Sequence, residues 1–268
     1  MKLIHKVEDC IVYKGNDSTY LLKIPSSPEL LRAIKDAGTI KHIIKKSTNA
    51  TSTSETLKFK ATRVESLKQF IEKMHDNNHD KNMDGLIYTL VLKLLADVGT
   101  LMQYTMSEYG RAIPFFSLED IIVIENANEN HDNHDDASTT TTEEPIFDFV
   151  FINGEKLLQT SCDRETKTNK CNNRALRVDV PLQVNKQTSF LPLELAESEL
   201  KHLPINVTAT SWLYSLSSLC IYALLNYKFK NGEDDIERIG RPFLHTSLYF
   251  CLKRCMKTKP EKRVLLYV

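Results

Sequence analysis

The sequence predicts an α+β chain in two lobes, a small strand-rich part over residues 1–65 and a larger helical part over 66–268. Three observations carry that prediction. Residues 3–24 alternate like a hairpin around the turn chemistry of Lys14-Gly15-Asn16-Asp17. Residues 85–109 keep an apolar stripe at helical spacing. Helical patterning then returns over the last hundred residues, apolar at 208–226 and amphipathic at 246–257. With 268 residues, 41% of them apolar and 26% charged, the chain can bury a substantial core, and global disorder is excluded.

In the hairpin, Cys10-Ile11-Val12-Tyr13 forms one strand and Thr19-Tyr20-Leu21-Leu22-Lys23-Ile24 the return strand. Ser27-Pro28-Glu29 starts a helix, with proline at the first helical position. Leu30, Leu31, Ile34, Ile40, Ile43 and Ile44 continue it, with a break near Gly38. The Ser/Thr/Asn tract at 47–54 reads as an exposed loop. A strand over 56–64 leads into a short amphipathic helix through Phe70 and Ile71. From His75 to Asp84 the chain is polar; His75 and His79 are four apart, but among asparagines they predict a solvated loop.

Leu86, Leu90, Leu94, Val98, Met102 and Met106 then define the strongest helix, expected at the centre of the core. Strands follow at 121–124 and 146–152, separated by a polar insertion over 125–144. His131 and His134 lie there among aspartates, in chain that would not hold metal ligands in fixed geometry. A second polar excursion, 160–175, carries Cys162 and Cys171.

Lys plus Arg and Asp plus Glu both total 35, so the formal charge is zero and a nucleic acid is not expected as the main partner. Only 8 glycines are present, too few to suggest a Gly-rich phosphate cradle. Cys220, Cys251 and Cys255 sit in apolar helical patterns and read as buried free thiols. No signal-length apolar run opens the chain, and the stretch 212–227 is interrupted by Ser215, Ser217, Ser218 and Asn226. A soluble, intracellular and cytoplasmic protein without a membrane span is therefore expected, and the sequons at Asn16, Asn49 and Asn206 are chance matches.

Four segments in order resemble the protein kinase fold. The helix at 86–109 followed by Ile113-Pro114-Phe115-Phe116-Ser117-Leu118-Glu119-Asp120-Ile121-Ile122-Val123 is similar to the kinase helix that runs into His-Arg-Asp-Leu-Lys-Pro-Glu-Asn-Ile-Leu-Val. Phe149-Val150-Phe151-Ile152-Asn153-Gly154 resembles the strand that delivers Asp-Phe-Gly. Phe190-Leu191-Pro192-Leu193-Glu194-Leu195 resembles the Ala-Pro-Glu segment, and Trp212-Leu213-Tyr214-Ser215-Leu216-Ser217 the helix start Asp-Val-Trp-Ser-Leu-Gly. Residues 248–256 and Pro260-Glu261-Lys262-Arg263 look like the last two kinase helices. The style of the degeneration resembles kinase-like proteins of large DNA viruses.

The resemblance implies a two-lobed kinase-like fold but not the chemistry. Phosphoryl transfer needs a phosphate cradle, a lysine on the phosphates, a carboxylate near the attacking hydroxyl and side chains holding magnesium. Lys23 matches the strand lysine that meets nucleotide; its helix partner would be Glu29 or Asp36, neither at the family's spacing. Phe115 stands where the family has the catalytic aspartate, and Ser117 where it has the loop lysine. Asp120 replaces the metal-binding asparagine and could still hold magnesium. Ile152 falls on the aspartate of Asp-Phe-Gly, and Asp148 would be a ligand only in a shifted register; strand alternation otherwise makes it an outward residue. His202 and His245 have no partner pattern.

The resemblance also implies a structural ion pair between Glu194 and Arg263. The expected function is a catalytically inactive pseudokinase that binds a protein partner such as an active kinase and requires no cofactor. The alternative is an atypical active serine/threonine kinase using ATP and Mg at Lys23, Asp120 and Asp148. A helical interaction domain without kinase ancestry is the third reading.

Overall fold

Buried residues alternate along the first strands, Val12 on one and Tyr20 and Leu22 on the next, so one sheet face must be covered. The computed structural model describes residues 1–40, 43–44, 56–76, 83–126, 146–161, 174–179, 184–185, 187–197, 203–230 and 233–265. The tract 47–54, His79, His131, His134, Cys162, Cys171 and His202 lie outside them.

Strands β1 (Lys2–Val7), β2 (Cys10–Lys14), β3 (Thr19–Lys23) and β4 (Thr56–Lys60) form an antiparallel sheet in the order β1-β2-β3-β4. Between β3 and β4 comes helix α1 (Pro28–Asp36). Ser27 caps it by accepting from the Leu30 N–H, with Pro28 opening the first turn. It stops at Asp36, short of the expected Ile40–44 extension, because Gly38 takes φ +67°. Ile43 instead bridges to Phe59 as strand.

The expected strand 56–64 is two strands. After β4, residues 61–62 turn the chain and β5 (Arg63–Ser66) pairs with β8 (Ile121–Asn126), which pairs in turn with β9 (Ile146–Phe151). Helix α2 (Leu67–Asp76) follows β5 and carries His75 in its last turn, where the ring lies 3.1 Å from the Ala223 carbonyl rather than in a solvated loop.

Helix α3 (Met83–Tyr109) is long and apolar enough by length and composition to cross a bilayer. Its core-facing side, including Leu94, Val98, Leu101 and Met102, is instead covered by α1, β9, β6 (Arg111–Ala112) and α5 (Ser211–Leu225), while Leu86 at its start is exposed. Helix α5 is buried on every face from Ser211 to Ile221, its serines included, so it shares the centre of the core with α3.

A four-stranded sheet in the larger part has no counterpart in the sequence reading. It runs β13 (Ile205–Thr208), β11 (Ala175–Val178), β10 (Leu158–Ser161), β6. Each strand is four residues or fewer, too short for a period of two to show. The pair β7 (Phe116–Ser117) and β12 (Ser189–Phe190), helices α4 (Leu193–Glu197), α6 (Ile236–Ile239) and α7 (Ser247–Cys255), and 3-10 turns at Arg241–Phe243 and Pro260–Lys262 accompany them among the described residues.

Candidate functional site

The segment between α3 and β8 is held from below. The Phe116 N–H donates to Ser215 Oγ at 2.7 Å, and the Ser215 hydroxyl donates to the Phe190 carbonyl at 2.5 Å, tying β7 and β12 to the core helix α5. This anchoring leaves Phe115 with no exposed surface. The chain then makes one 3-10 turn, Leu118–Asp120, closed by Asp120 Oδ2 accepting from the Ser117 N–H at 2.7 Å.

Asp120 is 1% exposed, and a bare carboxylate there would be costly. Its partners come from the end of β9. Asn153 Nδ2 donates to Oδ1 at 2.8 Å, and Lys156 Nζ donates to Oδ2 at 2.6 Å. Lys156 also donates to Ser117 Oγ at 2.8 Å and lies 4.2 Å from the centre of the Phe115 ring. The 3-10 turn Gly154–Lys156 brings the lysine back beneath the loop. Gly154 is required there by close approach, since a Cβ would fall 2.6 Å from Ser26 Oγ and 2.8 Å from Ile24 Cγ2 and Ser27 Cβ.

Above these groups sits the β1–β2 hairpin. Its two-residue turn is Glu8-Asp9, with Glu8 at φ 50°. Asp9 accepts from the Ser26 N–H at 2.7 Å and the Ser26 hydroxyl at 3.0 Å, and the His5 ring lies 2.8 Å from the Glu119 carbonyl. A cavity of 390 Å³ is left between Lys6, Val7 and Glu8 above and Asp120, Asn153 and Lys156 below. Partial desolvation, and then the charges of Glu8 and Asp9, raise the Glu155 carboxyl above its usual range. Three carboxylates thus crowd the turn and make it a region of negative potential.

The other expected residues are dispersed. Lys23, at the end of β3, is half-buried; its backbone pairs within the sheet, and its side chain makes no hydrogen bond or ion pair among the described residues. Glu29 pairs with Arg111 at 3.5 Å rather than with Lys23. Asp148 does not face solvent, because α3 covers that side of β9. It is 1% exposed, accepts from Asn126 Nδ2 at 3.0 Å, and lies 3.3 Å from Lys93 of α3, which also holds Asp97. Asp148 and Asp120 therefore belong to separate networks. Ile152, the residue expected from the resemblance to stand at the aspartate of Asp-Phe-Gly, is buried and meets Asp120 through its N–H on the Asp120 carbonyl, whereas the next residue, Asn153, reaches the Asp120 carboxylate with its side chain. His245 is exposed.

Glu194 and Arg263 meet. Arg263 donates from Nη1 and Nη2 to the two carboxylate oxygens at 2.6 and 2.8 Å, and from Nε to the Lys257 carbonyl at 2.8 Å. Ser211 donates to the same carboxylate at 2.6 Å. Burial pushes the Glu194 carboxyl up, but hydrogen bonds from Arg263 and Ser211 and the guanidinium charge outweigh it, so it lies below the ordinary range.

Sequence reasoning missed Lys156, Asn153 and His5 as members of this site. Each acts through a contact more than thirty residues away in the chain, and no local pattern marks it.

No protein-family model matches the chain, and no curated protein does. Among solved structures it is similar to a rhoptry kinase from Toxoplasma gondii, at 12% identity over 98% of this chain and 73% of that one, with a TM-score of 0.53. The PknI kinase domain from Mycobacterium tuberculosis aligns at 11% identity over 98% of this chain and 89% of that one, with a TM-score of 0.46, too low to add weight. The fold is therefore α+β, two-lobed and protein-kinase-like.

Proposed function

We propose that this chain is a pseudokinase, a kinase-like domain that has lost phosphotransfer and acts by shape as a regulatory or scaffolding module for a protein partner such as an active kinase. The observation that carries the reading is Phe115: the position of the catalytic aspartate holds a fully buried aromatic ring capped by a lysine. No carboxylate there can orient or deprotonate a hydroxyl. The acidic Glu8-Asp9 turn and the diversion of Asp148 to Lys93 support the same reading. We assign the lobes to 1–65 and 66–268 and the working compartment to the cytoplasm. The degeneration, with motif order kept and chemistry replaced, supports a kinship with the kinase-like proteins of large DNA viruses.

The test is incorporation of labelled phosphate from ATP with Mg²⁺, by the full chain alone and with a generic protein substrate. The expected result is none above background. Incorporation that disappears in Asp120→Asn or Asp148→Asn would establish the rival, an active atypical kinase using Lys23, Asp120 and Asp148. Thermal unfolding with ATP or ADP, each with and without Mg²⁺, separately reports whether nucleotide still enters the cleft; a ligand at a hundred times its Kd adds ~2.7 kcal/mol.

A further inference from the structure

We infer that the Lys156 ammonium fills the position a divalent cation holds in the cleft of an active kinase, so that Asp120 is charge-balanced without metal. The correspondence of Asp120 with the family's metal-holding position is taken from the pseudokinase reading; the geometry is this chain's own. Both Asp120 oxygens are already committed, Oδ2 to the Ser117 N–H and Lys156 Nζ, Oδ1 to Asn153 Nδ2. Magnesium needs oxygens at about 2.0–2.1 Å in near-octahedral array. Asn153 turns its amide N–H toward Asp120, so an ion between the two would meet a donor instead of a ligand oxygen. Asn153 Oδ1, the one atom of that side chain able to ligate, is buried without a hydrogen-bond partner among the described residues.

The departures from the family pattern form one set. In the pseudokinase reading the catalytic aspartate has become Phe115, the metal-binding aspartate has become Ile152 with the neighbouring Asn153 reaching Asp120, and the loop asparagine has become Asp120. One carboxylate remains where an active kinase has two, and one ammonium balances it. Lys156 is fixed in that role, 5% exposed, with Ser117 Oγ as second acceptor and the Phe115 ring against it at 4.2 Å. The ring that abolishes the base also supports the internal cation. The residues present thus do not fit magnesium.

The experiment uses the full chain and Mn²⁺ or Mg²⁺ alone, without nucleotide. Wild-type protein should bind no Mn²⁺ at this site by electron paramagnetic resonance, and its Tm should not move with Mg²⁺. Lys156→Met keeps the carbon stem and removes the charge, and should lower Tm by on the order of 10 °C by leaving Asp120 unpaired. Adding Asp120→Asn to that variant should restore much of the loss. Mn²⁺ binding by wild type that is abolished in Asp120→Asn would overturn the inference, as would a Lys156→Met protein that melts with wild type. Should Lys156→Met fail to fold, the wild-type Mn²⁺ titration decides alone. Phosphate incorporation without bound Mn²⁺ would sink only the pseudokinase reading, and Mn²⁺ binding without phosphotransfer only this one.

Discussion

Arg263→Ala tests the tie between α4 and the end of the chain. The Arg263 side chain has no exposed surface and that of Glu194 is 22% exposed. Removing one partner of a buried pair costs about 3–5 kcal/mol, and the partial access of Glu194 to water favours the lower end. The Lys257 carbonyl loses its donor as well, adding about 1 kcal/mol if it stays dry. The Tyr214 ring, 5.0 Å from the guanidinium, loses its cation. The expected total is about 3–5 kcal/mol, or a fall in Tm of roughly 6–20 °C. Urea unfolding at pH 7, with m checked against wild type, measures it. Arg263→Lys should recover part of the loss, since the charge survives but the two-pronged geometry does not. Replacing both residues by methionine should cost less than Arg263→Ala, because no buried charge is stranded. An Arg263→Ala protein within about 0.5 kcal/mol of wild type would refute the reasoning.

The same pair sets a pH dependence: because the folded pKa of Glu194 is depressed, its stabilisation is complete above the unfolded value of about 4.3 and fades as pH falls through the lower folded value. Urea midpoints followed downward from pH 6 should show an acid-side loss that Glu194→Gln lacks. Asp148→Ala strands Asn126, takes one of two carboxylates from Lys93 and should cost about 2–4 kcal/mol, with the same deficit in magnesium and in chelator; a deficit seen only with magnesium would make Asp148 a metal ligand after all. Gly154→Ala forces a methyl against the 24–27 segment and should cost about 1–3 kcal/mol by differential scanning calorimetry, whereas a neutral substitution would mean that segment moves freely. Burial raises the thiols of Cys10 and Cys220, and a hydrogen bond with Cys251 followed by burial raises Cys255. Peptide mapping after alkylation at pH 8 should find these three unmodified until the protein is unfolded.

What could be read from the sequence was what depends on neighbours in the chain. The β2–β3 hairpin follows from alternation around Gly15, α1 from the Ser27-Pro28 start, and α3 and α5 from apolar periodicity, because each signal lies within one element. The order of kinase-like segments was legible for the same reason, and it led to the two-lobed fold. The break near Gly38 was also legible, but the pairing of Ile43 with Phe59, the split of 56–64 into β4 and β5, and the four short strands β6, β10, β11 and β13 were not, because pairing partners chosen elsewhere decide them. Asp148 shows the limit most clearly. Alternation assigns it correctly to one face of β9, but only the packing of α3 makes that face an interior one, with Lys93 waiting on it. Lys156 is the converse case: nothing in its neighbourhood distinguishes it from a surface lysine. It becomes the counter-ion of Asp120 only because the turn at Gly154 folds it under a loop more than thirty residues earlier in the chain, where a buried carboxylate requires a positive charge.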